Sequence, residues 1–171
     1  MNKKIKLLSL ILLFLFVFPR VSLGCNFQSL KFGMGVSEIL LPNAIQLDES
    51  VIHQDVSLAS DEFCLDKPSI PGGIINLKFL YNRLVQLKIE LNNSNLEIKD
   101  WAENRYGAID PEIKALKNFQ FLWEKENVNV VYSIETINDS RNEFLEISSN
   151  ANYHLFIKYY NQLEANINEN N

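Results

Sequence analysis

The chain has 171 residues, of which 47% are hydrophobic, and it carries a net charge of −5. This length supports one domain with a sizeable core, and the acidic balance argues against a protein that binds nucleic acid or an anionic membrane through a basic face. The motifs Cys-x-x-Cys, His-Glu-x-x-His and Gly-x-Ser-x-Gly do not occur, and no Gly-rich phosphate loop precedes a helix, so no catalytic centre of these motif classes is indicated.

The first 24 residues have the pattern of a secretory signal peptide. Three lysines precede residues 7–18, which are Leu, Ile, Phe and Val apart from one Ser. As a helix this run reaches about 18 Å, too short for the ~30 Å hydrocarbon core, so it is a signal and not a membrane span. Pro19 ends the run, and the small residues Ser22 and Gly24 predict cleavage before Cys25. We therefore expect an exported protein, periplasmic or secreted, with residues 25–171 as the mature chain.

The predicted cleavage leaves two interpretations of Cys25. Two cysteines in an exported chain pair by default, and a Cys25–Cys64 disulfide would stabilise the fold by about 3 to 4 kcal/mol on the loop-entropy model. The alternative is a lipid anchor on Cys25, because bacterial lipoprotein signals also end at a cysteine. Ser22 and Leu23 stand in the reverse of the usual lipobox order, and Arg20 interrupts the apolar approach. The pattern favours the disulfide and keeps the lipid anchor as the alternative.

The first half of the mature chain predicts a short helix and then strands. An apolar stretch at residues 36–41 follows two glycines and stops at Pro42, which predicts the helix. Residues 51–56 alternate as in a strand. In residues 75–91, Ile75, Leu77 and Phe79 alternate with polar residues, and Leu87, Ile89 and Leu91 do the same, so this segment predicts a hairpin that turns near residues 81–83.

The second half repeats this order. Ser94 and Glu97 form a capping-box pattern that begins a helix, and Gly107 predicts its end. After a linker containing Pro111, residues 128–134 alternate and "NDSR" turns the chain toward a partner strand at residues 144–148, which predicts a second hairpin. Apolar residues spaced by three and four over about residues 152–166 predict an amphipathic C-terminal helix.

These elements predict an α+β fold in a single domain, residues 25–171. An antiparallel sheet would be built from two helix-plus-hairpin halves, at about residues 27–93 and 94–149, with the amphipathic helix at the C-terminus. Antiparallel hairpins exclude a doubly wound parallel sheet.

The segment "FGMGVSEILLP" and the later Tyr106-Gly107 followed by Trp123 resemble the openings of the two halves in small exported α+β modules. Such modules include the small lipoprotein of the outer-membrane β-barrel assembly machine and the tandem-repeat β-lactamase inhibitor proteins. In the first half, the resemblance rests on Gly33, Met34, Ile39 and Leu40. It implies a non-enzymatic protein that offers a sheet face or a loop to another protein.

Two sets of residues are candidates for a site. Tyr159 lies off the apolar stripe Tyr153–Phe156–Tyr160, and Arg105 lies beside Tyr106 just before the helix stop at Gly107. We expect these three residues, Arg105, Tyr106 and Tyr159, to be exposed for recognition of a partner. His53 and Asp55, two apart on a predicted strand, point to the same side and could form an acid–base or metal site with His154, the other histidine of the chain.

Removal of the signal leaves 12 basic and 21 acidic residues, a net charge of −9. The sequence predicts an exported binding or assembly module without enzymatic activity, which acts through contacts with another exported or envelope protein. It predicts no cofactor, no metal and no nucleic acid, and membrane contact only through a lipidated Cys25. The alternative is a small periplasmic hydrolase or metal-dependent enzyme that uses His53, Asp55 and His154.

Overall fold

The computed structural model describes residues 30–39, 47–60, 70 and 72–169. The predicted signal peptide, its cleavage point, both cysteines and Leu40 lie outside the described residues. None of the described helices is long and apolar enough to cross a membrane.

Among the described residues, six strands form one antiparallel sheet, in agreement with the predicted α+β class. The strands lie side by side in the order β1-β2-β3-β6-β5-β4, so β3 and β6 are the central pair and β1 and β4 are the edges. Their bounds are β1 His53–Ala59, β2 Ile74–Leu80, β3 Arg83–Leu91, β4 Phe119–Glu124, β5 Val128–Ile137 and β6 Ser140–Ser149.

Both predicted hairpins are confirmed, and each turns through two residues. Tyr81 and Asn82 join β2 to β3 with φ of 50° and 59°, and Asn138 and Asp139 join β5 to β6 with φ of 49° and 63°. Positive φ at both central residues is the mark of a type I′ turn, whose twist matches that of the flanking strands.

In the part of the chain that the structure describes, three α-helices accompany the sheet: α1 is Glu97–Tyr106, α2 is Pro111–Lys114 and α3 is Tyr153–Glu169. Helix α2 lies in the predicted linker, where Asp110 accepts a hydrogen bond from the Glu112 backbone N–H at 2.8 Å and Pro111 fixes the first turn. The predicted helix at residues 36–41 was wrong over its described part. Only Val36–Glu38 is helical, of the 3₁₀ type, and Ile39 is already extended.

The sheet buries one face, here called the core face. The alternation predicted for β2, β3 and β5 is confirmed, because their inward side chains are buried on this face. A β-bulge in β3 also buries both Leu84 and Val85, which are adjacent in sequence. Ile98 and Ala102 of α1 are fully buried, and α1 lies against β6. The other face of the sheet carries mostly polar side chains. Helix α3 contacts β2 on this face.

Candidate functional site

The N-terminus of α1 is held by a carboxylate from the sheet. Glu143 of β6 is fully buried on the core face. Its Oε2 accepts the backbone N–H of Ile98 at 3.2 Å and the hydroxyl of Ser94, and its Oε1 accepts the backbone N–H of Lys99 at 2.9 Å and the hydroxyl of Tyr132 at 2.6 Å. Unpaired N–H groups and the positive end of the helix dipole favour an anion at this position.

The predicted capping box is present only in part. The Glu97 carboxylate accepts hydrogen bonds from the Ser94 hydroxyl and the Asn95 backbone N–H, but the residue at the cap position is Leu96, with φ of 76°. The Glu143 side chain, almost 50 residues away in sequence, therefore caps the helix instead of the residue at the cap position, and it links the start of α1 to β6.

The C-terminus of α1 is tied to β4. Gly107 ends the helix with φ of 113° and ψ of 162°, a conformation essentially restricted to glycine. Its carbonyl accepts a hydrogen bond from Nε1 of Trp123 at 3.0 Å, and the ring of Trp123 lies 5.9 Å from that of Tyr106. Both ends of α1 are thus fixed, which determines the direction of the side chains between them.

The segment before the 3₁₀ helix is fixed against β3. The Gly33 N–H donates to the Leu84 carbonyl at 2.8 Å, and the Leu84 N–H donates to the Met34 carbonyl at 2.9 Å. Arg83 donates to the Gly33 carbonyl at 2.9 Å. Gly33 has φ of 89°, which glycine adopts without strain. These bonds hold Leu30 and Phe32 beside the central strands.

An open cleft of about 400 Å³ lies between this segment, the core face and α1. We call it the aromatic cleft. Its described lining is Leu30, Phe32, Leu84, Leu87, Trp101, Arg105, Tyr106, Val128 and Ile147. The volume falls within the range of ligand sites, about 300–1,000 Å³, and the lining has their usual mixture of many apolar groups and few polar ones.

The polar groups of the aromatic cleft come from the last turn of α1. The Arg105 guanidinium lies 5.7 Å from the ring centroid of Trp101 and 5.8 Å from that of Tyr106. Burial raises the pKa of Tyr106, and the Arg105 charge opposes that rise. Among the residues that the structure describes, Arg105 forms no ion pair. The cleft thus presents an exposed cation near two aromatic rings and beside an apolar surface.

The other candidate residues lie on the polar face of the sheet. Nε2 of His53 is 2.9 Å from Oδ2 of Asp55, within ion-pair distance but without hydrogen-bond alignment, and Nδ1 of His53 is 3.1 Å from the hydroxyl of Tyr159. Tyr159 is half-buried with its ring 5.1 Å from the imidazole, so it connects α3 to β1.

The third member of the alternative site is not brought to this pair. Nδ1 of His154 lies 3.1 Å from the Ala151 carbonyl at the start of its own helix. Within the described ranges, no three His, Cys, Asp or Glu side chains are grouped so that they could hold a metal ion.

The structure therefore places Arg105 and Tyr106 in one cleft and Tyr159 in a different environment. Sequence reasoning missed the apolar members of the cleft, Leu30, Phe32, Leu84, Val128 and Ile147. Strand alternation marks some of them as inward-facing, but it cannot show which inward positions α1 leaves uncovered.

A scan of the chain against protein-family models finds no matching family, and searches of curated proteins and of solved structures find no significant match.

Proposed function

We propose that the protein is a non-enzymatic binding module, which receives apolar side chains of a partner protein in the aromatic cleft. The observation that carries this proposal is the open cleft of about 400 Å³ in which Trp101, Arg105 and Tyr106 converge on the core face. Aromatic and Arg side chains are the residues most often found at the energetic centres of protein interfaces.

The chemistry of the lining favours binding over reaction. Arg105 and Tyr106 are the titratable groups among the described lining residues. Arg stays charged at all ordinary pH values, and the raised pKa of Tyr106 keeps its hydroxyl protonated near neutral pH. Neither group titrates near neutral pH, where general acids and bases are most effective.

The charge of the lining favours a partner segment that combines apolar side chains with a carboxylate. A guanidinium offers a planar pair of donors that a carboxylate accepts in bidentate fashion. Because the Arg105 guanidinium lies near the Trp101 ring and has no ion-pair partner among the described residues, a carboxylate can approach it without displacing another acid.

The test is a selection of phage-displayed random peptides on the folded mature chain, residues 25–171. The selected peptides are then titrated by Trp fluorescence, since Trp101 lines the cleft. We expect peptides rich in apolar residues with Asp or Glu, and at least tenfold weaker binding, about 1.4 kcal/mol, to Arg105→Glu.

The matched control is Lys117→Glu, which makes the same charge change at an exposed residue outside the aromatic cleft. Circular dichroism confirms that both variants fold. Peptides that bind the wild type and Arg105→Glu equally well would show that the cleft is not the site, and a selection that enriches nothing would refute the proposal.

The export and the disulfide are also part of the proposal. A mature protein that begins at Cys25 and has lost two hydrogens relative to its reduced form, by intact mass, would support both. A mass increase that matches acyl chains would instead identify the lipid-anchored alternative.

We also propose that the two halves, residues 27–93 and 94–149, are related to each other and to the small exported α+β modules that the sequence resembles. The strand order supports the internal relation, since β1-β2-β3 and β4-β5-β6 are arranged symmetrically about the central pair. An experimental structure in which the Cα atoms of β1–β3 do not superpose on those of β4–β6 would refute it.

A further inference from the structure

A second, smaller pocket carries four cations, and we call it the basic pocket. It lies between the start of α1, the end of α2 and strands β4, β5 and β6, and its volume is about 80 Å³. Four of the 12 basic residues of residues 25–171 line it, although that part of the chain has a net charge of −9. Its described lining is Leu96, Lys99, Lys114, Leu116, Lys117, Phe119, Ile134 and Arg141.

Backbone and side-chain hydrogen bonds fix the segments that carry two of these cations. The Arg141 carbonyl accepts the Ser94 N–H at 2.9 Å, and Arg141 is the register partner of Thr136 in the sheet. Thr136 donates its hydroxyl to the Lys117 carbonyl at 3.3 Å and its N–H to Oδ1 of Asn118 at 2.7 Å. Arg141 and Lys117 are therefore both held beside Thr136 by the fold.

The other two cations are paired with acids of α1. Nζ of Lys99 lies 3.3 Å from Oδ1 of Asp100, and Nζ of Lys114 lies 3.0 Å from Oε1 of Glu103. The two lysine side chains are only 19% and 32% exposed, so water screens their charges less than it screens those of fully exposed lysines.

Lys117 and Arg141 have no such partner. Within the described ranges, neither side chain takes part in an ion pair. Glu143 lies two residues from Arg141 on the same face of β6, but its oxygens accept the N–H groups of Ile98 and Lys99. The basic pocket therefore keeps two cations that no described acid pairs with.

From this arrangement we propose that the basic pocket binds a doubly charged tetrahedral oxyanion, either a free phosphate or sulfate ion or the phosphate group of a monoester. Two unpaired cations match a charge of −2. The Arg141 guanidinium offers a planar pair of donors to such an anion, and the Lys117 ammonium adds a point charge.

The shape of the pocket agrees with this ligand. A cavity of about 80 Å³ has room for a few water molecules or a small oxyanion, and it is well below the roughly 300 Å³ of sites for larger organic ligands. Apolar walls strengthen the attraction, because a recess lined by one sign of charge and low-dielectric groups concentrates counter-ions. Leu96, Phe119 and Ile134 supply these walls.

The basic pocket is separate from the aromatic cleft, and no described residue lines both. The anion site therefore does not rest on the proposed function.

The first test is a titration of the ¹⁵N-labelled mature protein with sodium phosphate, sulfate and acetate, followed by NMR at constant ionic strength. We expect saturable shifts in the amide signals of Lys99, Lys117 and Arg141 with phosphate and sulfate, and at least tenfold weaker binding of the singly charged acetate. Methyl phosphate separates the two sources of the ligand: binding as tight as that of inorganic phosphate would support an ester, and no binding would support the free ion.

The second test uses variants that remove the unpaired cations. Arg141→Gln and Lys117→Glu should each raise the dissociation constant for phosphate at least tenfold, since each loses a charge-assisted contact. Lys125→Glu is the matched control, because it makes the same charge change as Lys117→Glu at an exposed residue outside the pocket. It should leave the constant within about twofold, and circular dichroism checks that all variants fold.

Arg105→Glu distinguishes this site from the aromatic cleft. It should retain phosphate binding, whereas Lys117→Glu should retain peptide binding. Phosphate that binds no more tightly than acetate would overturn the proposal of an anion site. So would a Lys117→Glu variant that binds phosphate as well as Lys125→Glu does.

Discussion

The substitution Glu143→Gln tests whether a buried carboxylate fixes α1 to the sheet. Gln preserves the shape of the side chain but has one oxygen and one NH₂ group in place of two oxygens. In the wild type each oxygen accepts one backbone N–H, from Ile98 on Oε2 and from Lys99 on Oε1. The Ser94 and Tyr132 hydroxyls can rotate to accept from an NH₂ group, but a backbone N–H cannot.

In either orientation of the Gln amide, therefore, one buried N–H faces an NH₂ group. Losing a hydrogen bond to a charged acceptor costs about 1.5–3 kcal/mol, and leaving its donor unsatisfied costs about 1–3 kcal/mol. The attraction between the carboxylate and the helix dipole is lost as well, up to about 2 kcal/mol in a buried geometry. Removing the desolvation cost of the charge offsets part of this loss. We expect a net decrease of about 2–4 kcal/mol in the free energy of unfolding.

The assay is urea denaturation followed by far-ultraviolet circular dichroism, with thermal unfolding as a second measurement. A change of that size lowers the melting temperature by roughly 5–15 °C in a chain of this length. Glu146→Gln is the matched control, because Glu146 lies on the same strand and points to the polar face. It should change stability by less than about 0.5 kcal/mol. If Glu143→Gln changed stability no more than Glu146→Gln does, the carboxylate would not be holding the helix terminus.

Three further substitutions test other parts of the structure. Burial and the Glu143 carboxylate raise the pKa of Tyr132 above its ordinary value of 10.0, so the folded state favours the neutral hydroxyl and stability is lost as pH rises above about 10. In urea-unfolding measurements, Tyr132→Phe should remove this part of the stability loss at alkaline pH. The control Tyr153→Phe, at an exposed position, should not remove it. Equal stability–pH profiles for the two variants would show that Tyr132 is not the group responsible. Gly107→Ala should lower the free energy of unfolding by about 1–3 kcal/mol, because φ at this position is 113°. The cost is backbone strain and not a clash, since no atom lies within 4 Å of an added Cβ. An unchanged urea midpoint would show that the helix end adapts without strain. Asp139→Gly should stabilise by about 0.5–1 kcal/mol in thermal unfolding, because glycine adopts the positive φ of this turn position more readily, and a lower melting temperature would count against the type I′ assignment.

Local patterns were sufficient for five of the six described strands and for both hairpins, but they did not predict the edge strand β4, Phe119–Glu124. The alternation of Ile75, Leu77 and Phe79 shows directly which side of a strand is apolar, because successive side chains of a strand point to opposite faces. The same reasoning located both hairpins, α1 and α3. It did not find α2, since a helix of four residues is too short to show a periodic pattern, and it extended the helix after Gly35 beyond the single 3₁₀ turn that forms.

The candidate site could be predicted only in part. Arg105 and Tyr106 are candidates because they lie side by side just before the helix stop at Gly107, and the structure places both in the aromatic cleft. The opposite wall, which includes Leu30 and Val128, comes from distant parts of the chain. No spacing in the sequence relates these residues to α1, because the strand order and the position of the helix bring them together.

By itself the sequence determined the class of the fold, the inward faces of β2, β3 and β5 and an apolar stripe on the C-terminal helix, since all three follow from side-chain periodicity over a few turns or residues. Only the tertiary structure decided what caps α1, which inward positions remain open as a cleft and which side chains of α3 contact the sheet. These depend on contacts between residues far apart in sequence. The Glu143 carboxylate shows this most clearly, because an acidic residue at an inward strand position looks like an interruption of the core until the free N–H groups of α1 meet it.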